Sequence, residues 1–161
     1  MRVLIVAVGR MKAGPERDLV ARYLDRAVAS GKPLGLADFS VIEFSESRAS
    51  SADARKTEEA RAIRSSIPEK SVVIALDERG KSIASEAFAT RVAEWRDGGK
   101  PTLVLLIGGA DGLAAELRQS ADLVISFSAM TWPHQLVRIM AAEQLYRATT
   151  ILSGHPYHRG D

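Results

Sequence analysis

Five short apolar runs punctuate the chain, at residues 3–8, 39–44, 72–76, 103–107 and 123–127. Three of them are rich in Val, Leu and Ile with little alternation, the pattern of strands buried on both faces. The run Phe39-Ser-Val-Ile-Glu-Phe44 carries a Ser and a Glu and reads as an edge strand. Helical periodicity fills the gaps. Residues 15–30 place Leu19, Val20, Tyr23, Leu24, Ala27 and Val28 on one face. Residues 52–66 are mostly charged, with Ala54, Ala60 and Ile63 as a thin apolar side, and residues 85–97 present Phe88, Val92 and Trp95 before stopping at Gly98-Gly99. A short helix is expected at 113–120. A last one starts at Pro133, a residue suited to a first helical position, and runs to about Thr149 with Leu136, Val137, Met140, Ala141 and Leu145 inward. Strand–helix alternation predicts an α/β domain with a mostly parallel sheet of five to six strands. Residues 45–54 form the one Ser-rich polar stretch and are expected to be a mobile loop.

Composition narrows the class without naming a function. The 161 residues suit one domain, with no internal repeat and no interdomain linker. There is no cysteine, which excludes disulfides and thiolate metal sites and is compatible with a cytoplasmic location. The opening apolar run ends at Gly9-Arg10 without a small-residue cleavage pattern, so it reads as a strand rather than a signal peptide. No apolar run approaches the length of a membrane span, so no membrane partner is expected. A net charge of +2 is by itself weak evidence for a nucleic-acid partner.

In open parallel sheets ligands bind beyond the carboxyl ends of the strands. Three such ends are distinctive here: Leu76-Asp-Glu-Arg-Gly80, Ile107-Gly-Gly-Ala-Asp-Gly112 and Phe127-Ser-Ala-Met-Thr-Trp132. Gly108, Gly109 and Gly112 can take positive φ and let a ligand approach the backbone; a plain tight turn is the competing reading. Neither the dinucleotide fingerprint G-x-G-x-x-G nor a phosphate loop is present, which disfavours nicotinamide and nucleotide-hydrolysing enzymes. All three histidines, His134, His155 and His158, fall in the last stretch of the chain. His134 and Arg138 are four apart and share a helix face, which is either a site or a solvated surface. A zinc site of the three histidines is possible by count alone, but His155 precedes Pro156 and no second acid besides Asp161 lies near.

Taken together, these segments resemble the RlmH family, small SPOUT-class methyltransferases that modify N3 of a pseudouridine in 23S ribosomal RNA. The resemblance is carried by Leu76-Asp with Gly80, by Leu106-Ile-Gly-Gly-Ala-Asp-Gly-Leu113 and by Ser126-Phe-Ser-Ala-Met-Thr-Trp-Pro-His134. It continues through Leu136-Val-Arg138, Glu143-Gln-Leu-Tyr-Arg147 and His155-Pro-Tyr-His-Arg159, covering essentially the whole chain. Ala110 and the apolar Phe127 and Trp132 are small departures. The resemblance implies a single domain over residues 1–161, with a C-terminal trefoil knot and cofactor loops at about 72–161. The sequence rules alone would give an unknotted doubly wound sheet.

The resemblance further implies S-adenosylmethionine as methyl donor, held by Leu76, Gly108, Gly109 and Phe127, Ser128, Ala129, Met130, Thr131, Trp132. It implies a cytoplasmic homodimer acting on the ribosome without a metal, each site borrowing groups from the other subunit. The acceptor side is then expected to use His134, Arg138, Tyr157, His158 and Arg159. An imide nitrogen is a poor nucleophile until it loses its proton, so the site must stabilise an anionic ring or take that proton. Arg138 and Arg159 suit the first task. His134, His158 or Tyr157 suit the second, and the residues leave the choice open. Lys12, Arg17, Arg22, Arg55, Lys56, Arg61 and Arg64 are candidates for phosphate contacts or ordinary surface cations. Deleting residues 155–161 is expected to abolish methylation and spare folding, because the tail lies outside the expected core. A non-catalytic RNA-binding or ribosome-assembly module on the same fold is the alternative; it would not need intact cofactor loops or the tail.

Overall fold

Strand β1 (Arg2–Val8) is buried throughout except at Arg2 because it pairs on both sides, with β2 (Asp38–Phe44) and with β4 (Thr102–Ile107). On its far side β4 pairs with β3 (Val72–Lys81), and β3 with β5 (Leu123–Ile125). Every pairing is parallel, and the order is β2-β1-β4-β3-β5. The computed structural model describes residues 1–159, the side chain of Arg159 excepted. Five strands form the sheet among these residues, the lower bound of the expectation, and β2 lies at an edge as its polar residues predict.

Parallel neighbours need crossovers, and the helices supply them on both faces. Helices α1 (Pro15–Gly31), α3 (Ser85–Asp97) and α5 (His134–Ser153) cover one face, burying Leu24, Phe88, Val92, Ala141 and Leu145 against Ile5, Leu103 and Leu105. Helices α2 (Ala52–Ser66) and α4 (Ala115–Ser120) cover the other, where Ile63 and Leu117 meet Val6, Val104 and Leu106. Alternate residues of the central strands thus feed two cores, as period-two side chains must. α5 packs chiefly on α1 and α3.

Four expectations need correction. β3 runs on to Lys81 because Lys81 as well as Leu76 pairs with Ile125, with the residues between them bulging outward. Hydrophobicity ends at Leu76, so the polar tip was invisible to it. β5 stops at Ile125, where Ser126 turns back and its hydroxyl donates to the carbonyl of Ser128 (2.8 Å). α5 continues past Thr149 to Ser153, ending at Gly154 with φ 70°. Leu136, expected inward, is 41% exposed.

The stretch 45–54 is also more fixed than its composition suggests. Its last three residues open α2, capped by Ser51, whose hydroxyl accepts from the Ala54 amide at 3.1 Å. The Ser47 amide donates to Glu59 (2.9 Å), and Arg55 donates to the Ala49 carbonyl (3.1 Å).

Candidate active site

Because all five strands are parallel, the loops after β3, β4 and β5 emerge at one edge of the sheet. They enclose a cleft of about 280 Å³, near the lower end of small-molecule sites. Leu76, Gly108, Gly109, Phe127, Ser128, Met130, Thr131 and Trp132 line it together with His134. Of the residues expected to hold a cofactor, only Ala129 is not in the lining; it is exposed on the same loop. The walls are apolar where Leu76, Ile107, Ile125 and Phe127 meet, and open where Met130 (70% exposed) and Trp132 (40%) stand at the rim. Phe127 also borders a smaller cavity of about 140 Å³ between α3 and α5.

The glycines serve the cleft differently from the sequence reading. Of Gly108, Gly109 and Gly112, only Gly112 has positive φ (77°). A Cβ on Gly108 would stand 2.6 Å from the Gly112 carbonyl carbon and 2.7 Å from the Leu113 nitrogen. Gly108 is therefore required by the fold-back of its own loop, rather than by the approach of a ligand. A Cβ on Gly109 would meet Val8 at 2.9 Å. The absence of side chains lets this loop lie flat on the end of β1 and expose its backbone to the cleft.

Two ion pairs that spacing did not reveal hold the loops. Asp77, at the β3 tip, pairs with Arg118 of α4 at 3.2 Å, and Arg118 also donates to the Leu113 carbonyl. Asp111 accepts twice from Arg55, at 2.6 and 3.0 Å, which keeps its carboxyl below the usual range. Glu59 lies buried beneath Gly109, and burial pushes its carboxyl up. Three of the cations considered for phosphate contacts are thus paired with acids: Arg55 with Asp111, Lys56 with Asp53 and Arg64 with Glu116.

The acceptor-side residues are not gathered in one place within the protomer. His134 lines the cleft at the start of α5, its Nε2 3.4 Å from where a Cβ of Gly9 would stand. Arg138, one turn on, faces inward with 0% exposure and pairs with Glu43. Burial lowers its pKa, the Glu43 charge opposes this, and a guanidinium stays protonated regardless. His134 and Arg138 do share a face, both reaching Gly9, but that face is not solvated at Arg138.

Tyr157 and His158 lie in a 3-10 turn (Pro156–Arg159). The Tyr157 ring stacks on Tyr146 at 4.6 Å, and its hydroxyl donates to Glu143 at 3.1 Å. Burial, with Tyr23 and Glu143 adding to it, pushes the phenol up, so at neutral pH it is a donor and not a base. Within the tail Tyr157 is thus packed against the core, although the tail was expected to lie outside it; His155 and Pro156 are exposed. His158 Nδ1 meets the His155 carbonyl at 2.5 Å. Glu143 is nine residues along α5 from His134, a rise of about 14 Å, so this turn does not reach its own cleft. That separation also keeps His134 away from His155 and His158; among the described residues no cluster of metal-ligating side chains occurs. The Arg159 side chain lies outside the described residues.

A parallel α/β sheet with three strand-end loops converging on a partly apolar cleft has the architecture of a small-molecule-binding domain. The sequence model described as "Predicted SPOUT methyltransferase" matches residues 1–158. Three proteins called ribosomal RNA large subunit methyltransferase H are similar over 99% of this chain and 99% of their own. They come from Allorhizobium ampelinum (60% identical), Bradyrhizobium diazoefficiens (54%) and Sinorhizobium fredii (55%). The chain belongs to the RlmH family of SPOUT methyltransferases.

Proposed function

We propose that this protein transfers a methyl group from S-adenosylmethionine to N3 of a pseudouridine in 23S ribosomal RNA of the assembled ribosome. The observation that carries the reading is the convergence of the three strand-end loops on one cleft. The residues present fit such a donor. Leu76, Ile107, Ile125 and Phe127 offer apolar walls, and the turned backbone of 108–112, free of bulky side chains at its glycines, lets an adenine edge come close. When bound, the sulfonium supplies a methyl group with a neutral thioether as leaving group, so the chain need only orient the acceptor and manage its N3 proton. His134, in the cleft wall, is the protein group placed to accept or relay that proton.

The same reading includes a homodimer. Tyr157 and His158 lie away from their own cleft, so a role for them at the acceptor calls for the cleft of a second copy. It also includes the trefoil knot in the C-terminal part, supported by membership of the SPOUT family. A ribosomal acceptor places the reaction in the cytoplasm. The test is transfer of labelled methyl groups to ribosomes from a strain lacking the modification, followed by nucleoside analysis. Label in N3-methylpseudouridine supports the reading. Ribosome binding without transfer, or label in another nucleoside, overturns it.

A further inference from the structure

Arg138 is the largest side chain buried without exposure, and the function proposed above leaves it without a task. Its Nη2 donates to two successive carbonyls at the end of β1, Val8 (3.2 Å) and Gly9 (2.7 Å), while Nη1 pairs with Glu43 of β2. The same Glu43 oxygen accepts from the Met11 amide at 3.2 Å. Gly9 turns here with φ 87°, and its amide donates to the Phe44 carbonyl at 2.7 Å. The ends of β1 and β2, the start of the 9–14 loop and the first turn of α5 are thus pinned to one guanidinium. His134 is one turn before it, with its ring beside Gly9.

This arrangement is a poor device for stability alone. Burial disfavours the charge, and the Arg138 Nε has no hydrogen-bond partner. An apolar pair of similar volume generally serves stability as well or better. What only a guanidinium–carboxylate pair can do is hold two carbonyls and an amide at fixed angles.

We propose that Glu43 and Arg138 are a positioning pair that sets His134 and the 9–14 loop as the acceptor side of the cleft. This rests on the function proposed above and deepens it: the pair acts through His134 and does not touch the cofactor loops.

The test compares wild type with Glu43→Gln, Arg138→Lys and the double variant Glu43→Met/Arg138→Met, whose apolar pair retains packing should a single change leave an unpaired charge. Expected for folded variants are faster amide exchange at Met11 and Lys12 and S-adenosylmethionine affinity within about twofold of wild type. The saturating rate of ribosome methylation should fall by about 30-fold or more, the scale of loss when a reacting group is displaced by about 1 Å or less. In a His134→Ala background the same changes should cost less than about threefold, because the group they position is gone. Full additivity with His134→Ala, unchanged exchange at Met11, or cofactor affinity falling in step with the rate would each overturn the proposal. Absence of any transfer by the wild type would instead refute the parent reading; the exchange measurement still decides whether the pair fixes the loop.

Discussion

Replacing Gly80 by Ala tests whether the tip of β3 is locked onto β5. A Cβ at Gly80 would stand 2.7 Å from both the Cα and the nitrogen of Ile125, and nearer still to its carbonyl carbon. All three are backbone atoms of a paired strand, so no rotamer change relieves the clash. The tip must retreat by about 0.7 Å or more, the gap between that spacing and the 3.4 Å at which ordinary contact begins. Overpacking costs about 1–3 kcal/mol, and a backbone obstacle puts the value near 2.5 kcal/mol. The φ of Gly80 is not positive. Without the clash, Gly→Ala would therefore stabilise the protein by about 0.4–1 kcal/mol through the unfolded state. The two accounts differ in sign. With an m-value of about 2 kcal/mol/M, urea unfolding should show a midpoint lowered by roughly 1 M. Since Asp77, Glu78 and Arg79 line the cleft, S-adenosylmethionine affinity by titration calorimetry should fall as well. A midpoint at or above that of wild type would refute the lock.

Glu59→Gln should raise the melting temperature at pH 7. The folded-state pKa of Glu59 is raised by burial, so the wild-type contribution is full below the unfolded pKa and is lost as pH rises through the folded one; the variant's advantage should therefore vanish in acid. Tyr157→Phe removes the hydrogen bond to Glu143 but keeps the ring on Tyr146, and should cost about 1 kcal/mol in urea unfolding. Deleting residues 155–161 should cost more than that point change, since it also removes the ring; equal stability would show that the packing contributes nothing. Leu136→Glu puts a charge on an exposed apolar position of α5; on the proposed homodimer it should raise the monomer fraction in sedimentation, and an unchanged profile would show that this face is not the interface.

The sheet was legible because its central strands are uninterrupted apolar runs, and the edge position of β2 because Ser40 and Glu43 interrupt one. Helices α2 and α3 were read to the residue, helped at α3 by the stop at Gly98-Gly99; the cap at Ser51 was a start signal left unused. The end of α5 was misplaced because the apolar periodicity thins after Leu145, while the stop itself is Gly154 at φ 70°. The cleft was legible as three segments, by resemblance. Its internal wiring was not: Asp77–Arg118 and Arg55–Asp111 join residues 41 and 56 positions apart. Glu43 and Arg138 were each visible as an oddity, an acid in an apolar strand and a cation beside an apolar helix face. Pairing two such oddities would have been the available signal for the buried clamp.

The carbonyls of Val8 and Gly9 receive their donor from a residue 130 and 129 positions later, and α1 finds its main helical partner in α5. During synthesis, the first strand and helix emerge long before the segment that completes them. A nascent chain lacking α5 has an uncovered α1, an unclamped Gly9 turn and no His134 in the cleft wall. Competence therefore arrives only once α5 has emerged, and products terminated before it should be inert as well as exposed to proteolysis.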